Sequence, residues 1–265
     1  MKSRALKQAL ERGEVAVGTW VFEFATPGIA RLVASTGVDF VVYDMEHSGF
    51  GMESIRSLLA QTRPLDMAAI VRPPANEAHL IAPLLDAGAS GVIIPQVETR
   101  DEAARVVDAC RYFPDGHRGA AFSIAHDDFL PGRVADKMRA ANEAMICGIL
   151  IESAQGVENL GEILDVKGID LIWVGFLDLS LSLGIPGEYS QPRFKEAVQH
   201  ILETCKARKK PVGILSATPE QAREHLQQGF QCISYGGDIW LLQRALSEGV
   251  QTVRRESASK GAAWR

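Results

Sequence analysis

Short apolar segments rich in β-branched residues alternate with longer amphipathic segments along almost the whole chain. Continuous apolar runs of this length are typical of strands in a parallel sheet whose two faces are both covered. The predicted strands are Val15–Val21, Phe40–Tyr43, Ala68–Arg72, Gly91–Pro95, Met145–Glu152, Leu171–Gly175, Pro211–Leu215 and Gln231–Gly236. The segments between them predict helices at Ile29–Thr36, Met52–Thr62, Ala78–Ala87, Asp101–Arg111, Gly156–Leu164, Pro192–Arg208, Thr218–Gln228 and Ile239–Arg255.

Eight strands that alternate with helices predict parallel βαβ units and, as the first choice, one closed (β/α)₈ TIM barrel. The length of 265 residues suits one such barrel, and no linker or change of composition divides residues 1–265, so we predict a single domain. An open, doubly wound sheet is the alternative. The glycine-rich fingerprints of dinucleotide and P-loop sites are absent from the sequence, which removes the usual support for those functions.

One connection differs from the others, because Pro95 and Met145 are separated by a long, turn-rich segment of which only part is helical in pattern. Long connections on a barrel commonly form functional loops or contacts between subunits.

Composition narrows the classes of function. The formal net charge of −5 argues against a nucleic acid or an anionic membrane as partner. No apolar run reaches the roughly 18 residues that a membrane span needs, and the charged N-terminus lacks the apolar core of a secretory signal. The four cysteines are widely spaced, with no C-x-x-C pair. Buried, reduced thiols in a cytoplasmic protein are therefore predicted.

Polar residues collect at the carboxyl ends of the predicted strands, where the chemistry of TIM barrels takes place. These residues are Asp44, Glu46, His47, Arg72, Glu152 and Asp178. Glu152 and Asp178 follow adjacent strands, and two carboxylates with open positions suit Mg²⁺ or Mn²⁺. The alternative for Asp178 is a helix N-cap.

Two of these residues suggest proton transfer and anion binding. His47 is a candidate general acid–base, which Asp44 or Glu46 could orient. The guanidinium of Arg72 suits a carboxylate or a developing enolate oxygen, the alternative being a structural ion pair at the barrel rim. No lysine lies in a predicted strand or at its carboxyl end, which argues against a Schiff base and leaves a metal as the obvious electrophile.

An ordered set of short motifs resembles a known family, the HpcH/HpaI aldolases, which are class II pyruvate aldolases. The motifs run from about Leu6 to Val253. They include Gly18-Thr19-Trp20, Asp44-Met45-Glu46-His47, Val71-Arg72-Pro73, Leu85-Asp86-Ala87-Gly88, Ile94-Pro95-Gln96-Val97, Arg118-Gly119, Ile151-Glu152-Ser153, Gly156-Val157-Glu158-Asn159 and Asp178-Leu179-Ser180. Each string is weak alone, whereas the ordered set is specific for the family but not for a substrate.

The resemblance implies a hexamer, a trimer of dimers, whose final helix is exchanged between neighbouring subunits. It implies reversible cleavage of 4-hydroxy-2-oxo acids to pyruvate and an aldehyde. The resemblance implies that Glu152 and Asp178 hold Mg²⁺, Mn²⁺ or Co²⁺, and that His47 acts as acid–base with a metal-bound water. It implies that Asp44, and Asp86 from a neighbouring subunit, orient His47. It also implies that Arg72 stabilises the enolate oxygen and that the backbone at Gly175, Leu177 and Asp178 binds the pyruvate carboxylate.

The sequence departs from the family pattern beside these residues. Leu150 stands where the family usually has glutamine, and Phe176 and Leu177 stand where it has proline and a small residue. The Arg118-Gly119 loop also continues differently. These changes predict a more apolar mouth and leave the substrate open.

Two other functions remain open at this point. The same enolate chemistry would serve decarboxylation of oxaloacetate or a citrate-lyase-like reaction of an acyl thioester. A protein of another class would keep the barrel to bind a 2-oxo acid or a partner without catalysis.

Overall fold

The computed structural model describes residues 2–261 and contains a closed barrel of eight parallel strands in chain order. The strands are β1 Ala16–Val21, β2 Phe40–Asp44, β3 Ala68–Arg72, β4 Gly91–Ile94, β5 Ile146–Ile151, β6 Leu171–Val174, β7 Val212–Ser216 and β8 Cys232–Gly237. Because β1 also pairs with β8, the sheet closes. The predicted (β/α)₈ TIM barrel is confirmed, and the open doubly wound sheet is wrong.

Helices connect successive strands and surround the barrel. They are α1 Lys2–Glu11, α2 Ile29–Ala34, α3 Met52–Thr62, α4 Ala78–Asp86, α5 Arg100–Cys110, α6 Val134–Ala144, α7 Ala154–Glu158, α8 Leu160–Leu164, α9 Phe176–Ser182, α10 Pro192–Ala207, α11 Pro219–Gln228 and α12 Asp238–Gly261. The predicted helix Gly156–Leu164 is split into α7 and α8. The helices α1, α6 and α9 are not among the predicted helices.

Aromatic side chains fill the barrel interior. Trp173 of β6 meets Trp20 and Phe40 edge-on, with ring centroids 5.7 and 6.2 Å apart. Gly213 on the neighbouring β7 makes room for it, since a Cβ there would lie 2.4 Å from the Trp173 ring. The barrel is therefore a packed core with its opening confined to one end.

The start of α12 lines the mouth of the barrel, and the rest of the helix extends away from it. The Asp238 carboxylate at its start accepts the backbone N–H groups of Phe22, Glu23 and Phe24 at 2.9, 3.0 and 2.9 Å, which holds the loop after β1. An apolar groove of about 900 Å³ lies between α2 and the start of α12. Farther along, α12 carries an exposed apolar stripe on one face, formed by Leu242, Leu246, Val250 and Val253.

The long connection between β4 and β5 contains α5, a 3₁₀ turn at Ala125–Asp127 and α6. Arg63 donates to the Ala125 carbonyl at 2.5 Å, and Lys137 pairs with Asp127 at 2.5 Å. All four cysteines are buried and unpaired, as predicted. Within the described residues, no helix is long and apolar enough to cross a membrane.

Candidate active site

A cavity of about 410 Å³ opens at the carboxyl ends of the strands. The predicted residues that line it are His47, Arg72, Glu152, Gly175, Leu177 and Asp178. Its remaining wall is apolar and includes Trp20, Trp173 and Trp240. The structure thus brings six of the eight predicted site residues to one cavity.

Sheet register places Asp44 beside Arg72, because the last residues of β2 and β3 are paired. Arg72 donates from Nε and Nη2 to the two Asp44 oxygens at 2.7 and 2.8 Å, and Asp44 is fully buried. The Trp20 ring lies against the guanidinium, 4.7 Å from centroid to Cζ. Burial alone would lower the pKa of Arg72, but the hydrogen bonds and charge of Asp44 raise it on balance. Arg72 is therefore a fixed cation.

His47 follows β2 in a turn that Asp44 also organises. Asp44 accepts the backbone N–H groups of Glu46 and His47 at 3.1 and 3.2 Å. Asp44 thus positions His47 through its backbone, whereas the ring approaches Glu46, with Nε2 3.7 Å from Oε2. The His47 side chain is 57% exposed and open to a ligand.

Glu152 directly follows β5 and is held by a backbone donor. Its Oε1 accepts the N–H of Gln96 at 2.7 Å, and Gln96 adopts a left-handed conformation with φ of 57°. Burial, with the negative charges of Glu46 and Asp178, raises the pKa of Glu152 to about 7, although the Gln96 N–H and Arg72 oppose this. Gly175 leaves space for Oε2, since a Cβ there would lie 2.7 Å from it.

Asp178 lies in the first turn of α9, which begins at Phe176 after an N-cap at Gly175. The alternative that Asp178 is itself an N-cap is therefore wrong. The loop after β6 instead carries Asp178 into the cavity wall beside Leu177, whose side chain is half exposed.

The donor set suits a divalent cation. Three carboxylates (Asp44, Glu46 and Glu152) act on the guanidinium of Arg72, and Asp178 adds a fourth negative charge beside Glu46 and Glu152, so the formal charge is −3 when His47 is neutral. An anionic substrate would be repelled from such a site unless a cation offset this charge. No three His, Cys, Asp or Glu side chains of residues 2–261 form a ready-made metal centre. A cation here would rest on Glu152 and Asp178, leaving positions for water and substrate.

Asp86 lies apart from the other predicted residues of its own chain. It ends α4 and pairs with Arg118 at 2.5 Å, and the Arg118 guanidinium lies over the Tyr112 ring. Helices of a (β/α)₈ barrel run opposite to the strands, so the end of α4 faces away from the mouth. A catalytic role for Asp86 would require a neighbouring copy of the chain.

Several cavity residues were missed in the sequence prediction. Trp20, Trp240 and Leu215 line the cavity as apolar side chains, and in the sequence nothing separates them from ordinary core residues. Gln96 acts through its backbone N–H, which a sequence does not reveal. The string that contains Trp20 was noted only as a family motif.

Comparison with known proteins places this geometry in a family. The model of the HpcH/HpaI aldolase/citrate lyase family matches residues 17–245. The chain belongs to this family. The family's aldolases and lyases are enzymes, and the chain is one of them.

Individual HpcH/HpaI relatives cover nearly the whole chain. The 2-keto-3-deoxy-L-rhamnonate aldolase of Escherichia coli strain UMN026 is 33% identical over 242 residues, which span 91% of this chain and 90% of that protein. An HpcH/HpaI aldolase of Desulfitobacterium hafniense DCB-2 has a TM-score of 0.90 at 29% identity, covering 94% of this chain and 96% of that one. The citrate synthase SbnG has a TM-score of 0.85 at 31% identity, covering 96% and 98%.

Proposed function

We propose that the protein cleaves 4-hydroxy-2-oxo acids reversibly to pyruvate and an aldehyde, with a divalent metal. The observation that carries this proposal is the convergence of one fixed cation, Arg72, two carboxylates, Glu152 and Asp178, and an accessible His47 on one cavity. The relatives named as aldolases of a 2-keto-3-deoxy acid, which is a 2-oxo acid, support the reaction type.

Glu152 and Asp178 would hold Mg²⁺, Mn²⁺ or Co²⁺. When bound, the metal supplies positive charge to the carboxylate and keto oxygens of a 2-oxo acid. The backbone of Gly175, Leu177 and Asp178 lines the same side of the cavity and would receive the substrate carboxylate.

The residues of the chain then divide the cleavage between them. His47 takes the proton of the 4-hydroxyl group, and the electrons of that O–H bond form the aldehyde carbonyl as the C3–C4 bond breaks. The C3–C4 electron pair becomes the enolate of pyruvate, whose oxygen faces the guanidinium of Arg72. The imidazolium of His47 then returns its proton, which is delivered to C3 and completes pyruvate. Arg72 is already oriented by Asp44, so little reorganisation opposes this charge development.

The assembly is also a proposal, namely a homo-oligomer in which α12 packs in the apolar groove of a neighbouring copy. The groove beside α2, which Leu242 itself lines, and the exposed residues Leu246, Val250 and Val253 farther along α12 support it, since both surfaces are apolar and neither is covered by the described residues. Leu246→Glu with Val250→Glu should lower the mass measured by light scattering. Leu226→Glu on α11, also exposed, is the matched control and should not. An unchanged mass for the double variant would contradict the exchange.

A second candidate function uses the same kind of enolate chemistry, with the enolate formed from oxaloacetate by decarboxylation or from an acyl thioester. The apolar residues Leu150 and Phe176 at the cavity favour it, as does the 31% identity to the citrate synthase SbnG. In that case oxaloacetate, or oxaloacetate with an acyl thioester, would be preferred to 4-hydroxy-2-oxo acids.

The experiment is an assay of pyruvate release from a panel of 4-hydroxy-2-oxo acids and oxaloacetate, with Mg²⁺, Mn²⁺, Co²⁺ or a chelator. We expect metal-dependent release that is lost in Glu152→Gln and retained in Glu158→Gln, an exposed glutamate of the next helix. Preference for oxaloacetate would favour the second candidate. Pyruvate binding without turnover by the folded, metal-loaded protein would overturn both and indicate a binding role.

A further inference from the structure

Glu46 is a buried carboxylate at the cavity that the proposed mechanism does not use. Its side chain is 9% exposed, and Oε2 lies 3.0 Å from Arg72 Nη1 and 3.7 Å from His47 Nε2. The contact with Arg72 does not have hydrogen-bond geometry, so this buried oxygen has no hydrogen-bond partner among the described residues. The ion pair with Arg72 offsets part of the cost of burying this oxygen, but its free hydrogen-bonding capacity remains available to a ligand or a moving proton.

The two carboxylates after β2 serve different partners. Asp44 binds Arg72 through Nε and Nη2 and reaches only the backbone of His47. Glu46 is the one carboxylate within 4.0 Å of the His47 ring in the described part of the chain. Arg72 would remain fixed by Asp44 without Glu46, whereas the exposed ring of His47 would lose its charged partner.

Other groups around Glu46 hold its side chain and disfavour its ionised form. Gln96 Nε2 lies 3.5 Å from Oε1 and limits movement toward β4. Burial and the charges of Asp44 and Asp178 raise the pKa of Glu46, whereas Arg72 and His47 lower it. Positive charge that develops nearby is therefore stabilised by this carboxylate.

We propose that Glu46 is a positioning residue that acts through His47, orienting the imidazole and stabilising the imidazolium that forms when His47 takes the proton of the 4-hydroxyl group. This inference rests on the proposed function, because it gives a partner to the base of that reaction. The charge on His47 appears only as the proton moves, so the interaction strengthens in the transition state.

The test compares two reactions that share an enolate but differ in their need for a base. Cleavage of a 4-hydroxy-2-oxo acid requires removal of a hydroxyl proton. Decarboxylation of oxaloacetate breaks a C–C bond to release CO₂ and the same enolate, with no hydroxyl proton to remove. Glu46→Gln should lower kcat for cleavage about 10- to 100-fold, with KM nearly unchanged, and lower decarboxylation less than about threefold.

Three further variants fix the interpretation. His47→Asn should show the same selective loss, Glu46→Asp should recover part of the cleavage rate, and Glu53→Gln, an exposed glutamate of α3, should change neither reaction. Mn²⁺ affinity, measured by calorimetry, should fall much less in Glu46→Gln than in Glu152→Gln, because Glu46 contributes negative charge near the metal but no ligand.

Each other outcome overturns the inference. Equal losses in both reactions would show that Glu46 acts on Arg72 or on the fold, and a loss of Mn²⁺ affinity as large as that of Glu152→Gln would make it a metal ligand. An unaltered protein with no cleavage activity would overturn the proposed function itself, and the role of Glu46 would fall with it. Cleavage by the unaltered protein with no loss in Glu46→Gln would overturn this inference alone.

Discussion

Two arginines buried at opposite ends of the barrel have opposite surroundings. Arg111 follows α5 and donates to the Asn142 and Gly168 carbonyls and to Asp170, which also pairs with Lys7 at 2.8 Å. There, two cations share one carboxylate and backbone carbonyls. At the mouth, Arg72 is the one cation beside three carboxylates, and Asp178 adds a fourth negative charge near Glu46 and Glu152. The cations at the first end are satisfied by a carboxylate and backbone carbonyls of the chain itself, whereas the mouth keeps a negative excess that a bound cation would offset.

The largest expected effect is on stability and concerns Arg111, at the end of the barrel opposite the mouth. Arg111→Met would leave two buried carbonyls unpaired and weaken the pairing of Asp170, so the free energy of unfolding should fall by about 3–5 kcal/mol. Urea unfolding measures the loss, and Arg105→Met on the exposed face of α5 is the control. The folded variant should keep its kcat. A reduced kcat at unchanged stability would show that Arg111 affects catalysis, which would contradict its purely structural role.

Arg72→Lys tests the other arginine. Lysine keeps the charge opposite Asp44 but loses the forked hydrogen bonds, so kcat for cleavage and for decarboxylation should both fall about 10²- to 10³-fold. The free energy of unfolding should fall less in Arg72→Lys than in Arg111→Met. Steady-state kinetics with both substrates provide the check, and a change in KM alone would indicate ground-state binding instead of enolate stabilisation.

The negative excess at the mouth predicts a pH-dependent stability. The pKa of Glu152 is raised from 4.5 to about 7, so its ionisation opposes folding. In the metal-free protein this cost is absent below about pH 4.5, develops as the pH rises toward 7 and is complete above 7. Glu152→Gln should therefore melt higher than the unaltered protein at pH 8, equally at pH 4.5, and bind Mn²⁺ poorly. A lower melting temperature at pH 8 would contradict the sign.

The smallest expected effect concerns the apolar wall of the mouth. Phe176 and Leu215 separate the cavity of about 410 Å³ from one of about 430 Å³ between α10 and α11, and Tyr189 packs edge-on against Phe176. Phe176→Ala should join them and raise kcat/KM for aldol addition to hexanal, relative to acetaldehyde, about tenfold. Leu177→Ala, whose side chain is half exposed, is the control. An unchanged ratio would show that this wall does not set substrate size.

Sequence patterns were enough to predict the barrel because its strands are largely apolar and its helices amphipathic. They also predicted that His47, Arg72, Glu152 and Asp178 meet, since the ends of parallel strands share one rim. The sequence does not predict α9, because its seven residues show too little helical periodicity.

Pairings within the site could not be predicted in the same way. In the sequence Asp44 and Glu46 are equivalent candidates to orient His47, and only the turn geometry gives Asp44 the backbone and Glu46 the ring. The pKa of Glu152 depends on burial and on Asp178, which lies on another element. Such effects arise from three-dimensional proximity and not from spacing along the chain.

The left-handed residue at position 96 has a consequence for how this enzyme can be diversified. The donor to Glu152 is the backbone N–H of Gln96, so that hydrogen bond does not depend on which side chain position 96 carries. Glycine would adopt the φ of 57° without strain, and asparagine tolerates it. Glycine or asparagine at this position would therefore change the surroundings of Glu46 while the hydrogen bond to Glu152 is kept, so position 96 offers a way to vary specificity without disturbing Glu152.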